Sequence, residues 1–136
     1  MRFLGIDYGT KSIGLAMSDE LGMTTRPLTT IRCQGLSRAK IMARLAALAG
    51  EYEIGTVVVG LPLLSDGSRG PAAEKVEQFM AILRDHISIP VVSCNEFLSS
   101  READDILREQ GASMEQRRRR SDEFAAAVIL RDYLAV

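Results

Sequence analysis

Two apolar runs of strand type open the chain. Phe3, Leu4 and Ile6 form the first, Asp7 interrupts it, and Gly9-Thr10-Lys11 supplies a turn into the second, Ile13 to Met17, which ends at Ser18-Asp19. The pattern predicts a β-hairpin with a carboxylate inside its first strand. Gly22 to Pro27 reads as a loop, and Leu28 to Cys33 is a short β-rich run that extends the hairpin into a three-stranded antiparallel meander. Ser37 can cap a helix running to about Tyr52, with Ile41, Leu45, Leu48 and Ala49 along one face.

Thr56 to Leu61, TVVVGL, is almost wholly apolar and β-branched, as expected of a parallel strand covered on both faces. The turn-rich stretch Pro62 to Pro71 follows it, and open α/β sheets place ligands in loops at the carboxyl ends of their strands. Ala72 to about Asp85 has helical period through Val76, Phe79, Met80 and Leu83; Pro90 to Cys94 restores a strand, with Asn95-Glu96 at its carboxyl end. Ser99 or Ser100 is suited to cap a helix through about Gln110, stopped by Gly111. After Arg117 to Arg120, Ser121 is the expected N-cap of a last, Ala-rich helix from Asp122 to Leu134 that buries Phe124, Val128 and Leu134. The order βββαβαβαα predicts an α/β fold, a mixed sheet with helices on both faces.

At 136 residues and 46% apolar content, one domain over residues 1–136 accounts for the chain. Its apolar runs are far shorter than the ~20 residues of a membrane span, and no signal pattern precedes the first strand, so the expectation is a cytoplasmic protein with no membrane partner. Cys33 and Cys94 lack metal-ligand spacing and read as small packing residues. A net charge of −1 restricts any nucleic-acid binding to local basic patches. Arg117, Arg118, Arg119 and Arg120 form one such patch, able to neutralise phosphates, although a solvated charge run fits the same residues. Thr10, Lys11 and Arg69 are further candidate phosphate contacts; for Thr10 and Lys11 a polar hairpin tip is the bland alternative. His86, the one histidine, follows the expected end of a helix and is assigned no catalytic role.

The chemistry starts at Asp7. A charge in a central strand costs several kcal/mol unless something pairs with it, no Lys or Arg lies beside it, and a metal ion is the simplest partner. Were the first strand central, Glu96 and Asp122 could meet Asp7 at one edge of the sheet. Such a set of hard oxygen ligands, with room left for water and phosphate, suits Mg²⁺ or Mn²⁺. Taken singly, each acid has a plainer reading: an Asx-type turn at Asp7, a solvated strand end at Glu96, a first-turn helix acid at Asp122.

GIDYGTKSIGLAMSD from Gly5, VVVGLPLLSDGSRGP from Val57, NEFLSS from Asn95 and SDEFAAAVIL from Ser121 together resemble the YqgF (RuvX) family, in its order and spacing over essentially the whole chain. That family comprises pre-16S rRNA nucleases and Holliday-junction-resolvase-like proteins of the ribonuclease H-like superfamily. The resemblance implies a ribonuclease H-like fold, a mixed five-stranded sheet of three antiparallel then two parallel strands, with Asp7, Glu96 and Asp122 as metal-binding catalytic carboxylates. It implies a divalent-metal-dependent endonuclease processing the 5′ end of precursor 16S rRNA, with ribosomal proteins or the pre-30S particle as partners. A four-way DNA junction is the alternative substrate; a resolvase making symmetric cuts favours a homodimer, and the sequence is compatible with monomer or homodimer. The family usually reads Asp-Glu-Arg at Asn95-Glu96-Phe97 and asparagine at Leu64, departures that spare the three acids and touch substrate preference or rate. They also keep open a non-catalytic RNA-binding, ribosome-assembly module. GIDYGT resembles the first phosphate loop of actin and sugar-kinase folds as well, but those enclose ATP between two lobes and this chain supplies one.

Overall fold

The computed structural model describes residues 1–64, 66–96 and 114–135, and of residues 114–121 only the backbone. The elements are β1 (Arg2–Tyr8), β2 (Ser12–Ser18), β3 (Thr25–Arg32), α1 (Arg38–Glu51), β4 (Ile54–Pro62), α2 (Pro71–His86), β5 (Val91–Glu96) and α3 (Met114–Leu134). The strands form one five-stranded sheet in the order β3-β2-β1-β4-β5. Pairing is antiparallel for β1–β2 and β2–β3 and parallel for β1–β4 and β4–β5. The strand that carries Asp7 is therefore central.

Strand alternation divides the sheet into two faces of different character. Leu4, Ile6, Ile13, Leu15, Val57, Val59 and Leu61 pack against Met42 and Leu45 of α1 and Val76, Phe79 and Leu83 of α2. Ser37 starts α1 as expected, its hydroxyl accepting the Lys40 backbone N–H at 3.2 Å. On the other face α3 lies across β2, β1 and β3, with Ile129 and Leu130 against Val58 and the partly buried Phe3 and Val92.

Small residues bring α3 unusually near the sheet. Ala125 and Ala126 on the helix are fully buried. Beneath them, a Cβ on Gly5 would stand 2.8 Å from the Ala126 carbonyl oxygen, one on Gly60 would press into the Ile129 side chain, and one on Gly14 would overlap the Asp122 carbonyl. The β2 face toward α3 is Ser12, Gly14, Ala16 and Ser18, alternating with the large Ile13, Leu15 and Met17.

Two expectations are corrected. The strand expected from Leu28 begins at Thr25, inside the stretch read as loop. Pro27 is tolerated because β3 is an edge strand and the register shifts opposite it, between Leu15 and Ala16. The last helix does not start at a Ser121 cap: it runs from Met114, and Ser121 lies in its interior. Gln and Arg are good helix formers, so the arginine run continues the helix rather than leading into it, and one serine does not break it. The helix expected from Ser99 or Ser100 to Gln110 lies outside the described residues. Among those described, no helix is long and apolar enough to cross a membrane.

If α3 is seated by glycine, adding a methyl group should act oppositely at two positions. Gly14→Ala should destabilise the protein by about 1–3 kcal/mol in urea unfolding, because the helix must be pushed off the sheet. Gly50→Ala, in α1 with nothing within 4 Å of its Cβ position, should stabilise it by roughly 0.5–1 kcal/mol. Equal effects at both sites would contradict close seating.

Candidate active site

Asp7 shares its face of β1 with Phe3 and Gly5, and its cross-strand partner on β2 is Gly14. The same Gly14 lies beneath the backbone of Asp122. A side chain at residue 14 would separate the two acids; its absence brings them together. The consequence is electrostatic. Burial, and then the charge of Asp122, push the Asp7 carboxyl from the usual 3.8 up to about 7. An Asx-type turn would bring backbone N–H donors to the carboxylate and lower its pKa, the opposite of the direction found. Asp122 is held from the side by the Ser12 hydroxyl, which donates to Oδ2. The next residue, Glu123, accepts from Thr30 Oγ1 at 3.3 Å. Because Asp122 sits well inside α3, the helix dipole does not explain its position.

Glu96 closes β5 on the α3 face, in alternation with Val92 and Cys94. It is 9% exposed, so it is a buried acid and not a solvated strand end. Cys94 Sγ lies 3.9 Å from its Oε1, and its backbone carbonyl accepts the Leu63 N–H at 3.2 Å. One strand, β4, separates β5 from β1. Among the described residues, no group of three His, Cys, Asp or Glu side chains is gathered closely enough to hold one ion. The structure thus joins Asp7 to Asp122 and sets Glu96 on the same face, across β4. Asn95, one residue earlier, is exposed on the opposite face by alternation, and Phe97 lies outside the described residues.

The basic candidates are dispersed. Thr10 and Lys11 occupy the exposed tip between β1 and β2, which is anchored where the Lys11 carbonyl accepts the Cys33 N–H at 3.0 Å. Arg69 follows β4, bridged to Leu63, and its guanidinium pairs with Glu77 of α2 at 3.1 Å. Arg117 to Arg120 ride on the early turns of α3, upstream of Asp122. Leu64 is half exposed and covers Gly70. His86 ends α2 with Nδ1 2.9 Å from the Ile82 carbonyl.

Ser12 and Gly14 are the site residues that sequence reasoning missed. Their signal was the period-two set of small residues at 12, 14, 16 and 18, which marks a sheet face prepared for a helix at short range.

The Asp7 shift has a direct consequence for stability. Between the usual carboxylate pKa and about 7, the native state of the metal-free protein keeps a proton that the unfolded chain has released, so stability falls as pH rises through that window. Asp7→Asn should remove this slope. The variant should be more stable than wild type above pH ~7, by about 2–4 kcal/mol, and nearly equal to it below pH ~4, in chelator-treated samples followed by thermal melting. Parallel pH profiles for the two proteins would refute the buried pair.

The profile of the RuvX family, described as Holliday junction resolvase, matches residues 1–136. A protein of Geobacillus kaustophilus (strain HTA426) named "Putative pre-16S rRNA nuclease" is 45% identical over 134 residues, covering 98% of this chain and 97% of that protein. One of the same name from Anaeromyxobacter sp. (strain Fw109-5) is 45% identical over 134 residues, 98% of this chain and 96% of that protein. In three dimensions the chain is similar to Thermus thermophilus RuvC in complex with Holliday junction substrate, with a TM-score of 0.59 at 17% identity over 99% of this chain and 95% of that one. It is also similar to the fowlpox virus resolvase with its Holliday junction DNA, with a TM-score of 0.59 at 11% identity over 99% and 97%. At such identities the likeness speaks to the fold, which is ribonuclease H-like with a five-stranded mixed sheet. With its full length matched by the profile and relatives sharing nearly half its residues, this chain belongs to the RuvX family.

Proposed function

We propose that this protein is a divalent-metal-dependent endonuclease, and that its substrate is the 5′ region of the 16S rRNA precursor. The observation that carries the reading is the meeting of Asp7 and Asp122 over Gly14, which leaves Asp7 protonated near neutral pH unless a cation offsets the pair. Two hard carboxylates at the open edge of a sheet fit Mg²⁺ or Mn²⁺. Asp7 and Asp122 would hold the ion, with Glu96 completing the set from β5. Such an ion, when bound, supplies Lewis acidity at a phosphodiester and lowers the pKa of water. The chain supplies the rest. Ser12 fixes the Asp122 carboxylate by its hydrogen bond, and Thr10, Lys11 and the arginines at 117–120 would contact the phosphate backbone. The substrate is assigned from the name its 45%-identical relatives carry; the family's description supports a four-way DNA junction as the second reading.

The deciding assay offers end-labelled precursor rRNA and a synthetic four-way junction to the wild type and to Asp7→Asn, Asp122→Asn and Glu96→Gln, with Mg²⁺ or Mn²⁺. Wild type should cut the RNA, the three variants should not, and Ser12→Ala should lose about 10–100-fold through misplacement of Asp122. Mn²⁺ should also raise the melting temperature of wild type at pH 8 and leave that of Asp7→Asn unchanged. Cleavage of the junction alone would make the protein a resolvase. Salt-sensitive RNA binding without cleavage of either substrate would make it an assembly module.

A further inference from the structure

The opposite side of the same strand end holds a cavity that the proposed chemistry leaves unused. Alternation sends Asp7 toward α3 and Tyr8 the other way, where the Tyr8 ring stacks on Phe79 of α2 at 4.3 Å between centroids and 25° between planes. Beside this pair, between α1, α2 and the β1–β2 turn, lies an open cleft of about 190 Å³. Its floor is apolar, with Ile13 and Met42 fully buried. Arg38 and Lys75 line it as exposed side chains, and among the described lining residues none is acidic. Neither cation has an ion pair among the described residues.

Size, shape and charge together narrow the occupant. A cavity of about 150 Å³ holds one benzene ring, so this cleft admits one flat ring system and leaves a sugar and its phosphates outside, beside the two cations. The Tyr8–Phe79 pair lines it with aromatic surface, and Thr10 and Gln78 line it with a hydroxyl and an amide. The cleft and the acid pair are back to back on one strand end, Tyr8 following Asp7 in the chain, so a nucleic-acid strand crossing the β1–β2 turn would reach both.

We propose that this cleft seats one unpaired nucleobase of the bound RNA, next to the phosphodiester presented to Asp7 and Asp122, with Arg38 and Lys75 on the flanking phosphates. The proposal rests on the nuclease reading and sharpens its substrate: the cut falls beside an unpaired nucleotide.

Cys33 lines the cleft and is a free, half-buried thiol. Alkylation by N-ethylmaleimide, mapped by peptide mass, therefore reports occupancy. The measurement uses the whole chain without divalent metal, in the presence of a short single-stranded oligoribonucleotide, the same sequence as a duplex, a nucleoside monophosphate, or inorganic phosphate. The single strand should slow alkylation of Cys33 severalfold; the monophosphate should do so only at higher concentration. Arg38→Glu and Lys75→Glu, both at exposed positions, should weaken that protection severalfold and raise the KM of RNA cleavage with little change in kcat. Equal protection by the duplex, protection by phosphate alone, or none with any ligand would each overturn the base seat. The nuclease reading fails separately, if metal-loaded wild type cuts nothing whatever the state of Cys33.

Discussion

The close approach of α3 to the sheet over Gly14 is the constraint on which the rest depends. A helix at ordinary distance would leave Asp7 solvated and Asp122 on a surface, and neither would have unusual chemistry. Without a side chain on Gly14, the Asp122 backbone settles beside the cross-strand partner of Asp7 and the two acids share one poorly hydrated place. That arrangement is unfavourable by itself, by up to about 4 kcal/mol at neutral pH with the Asp7 carboxyl raised to about 7. Burying Phe124, Val128, Ile129 and Leu130 of the same helix contributes about 1.5–3 kcal/mol for each side chain, so the apolar packing of α3 outweighs the strain in its acids. The helix is held by its apolar side chains, and the acids are carried to their positions with it.

The two faces of the sheet divide the work. The α3 face carries the Asp7–Asp122 pair and, across β4, the buried Glu96. The α1–α2 face carries most of the large apolar core and, at the same strand end, an aromatic cleft bordered by positive charge. Because side chains alternate along β1, the passage from one environment to the other takes a single residue, from Asp7 to Tyr8. On the proposed reading, a polyanion with planar bases would meet both, its phosphates at the acidic face and its bases at the aromatic one.

Much of this was legible in the sequence, for identifiable reasons. Asp7 could be singled out because a strand pattern surrounds it and no local cation neutralises it, and β4 because a continuous β-branched run fits a buried parallel strand. Ser37 could be read as a cap because the hydroxyl-to-amide bond is local. What was hidden depended on distance in space. The Ser12–Asp122 hydrogen bond spans nearly the whole chain, and the role of Gly14 exists only because a helix more than a hundred residues later lies on it. The start of α3 was misread because Ser121 matches a cap motif locally, while the preceding Gln and Arg residues are themselves good helix formers and carry the helix through it. For Glu96 a solvated strand end stood beside the metal-site reading, because its burial depends on packing that a strand-end position does not reveal.

Carbon-13 NMR of the Asp7 carboxyl reads the Asp7–Asp122 pair most directly. In metal-free protein the Asp7 resonance should titrate with an apparent pKa near 7, move toward the usual carboxylate value in Asp122→Asn by the part that the neighbouring charge contributes, and fall well below 7 when Mg²⁺ is added. A titration near 4 in the metal-free wild type, unchanged by Asp122→Asn, would show that the two acids do not meet and would contradict the account.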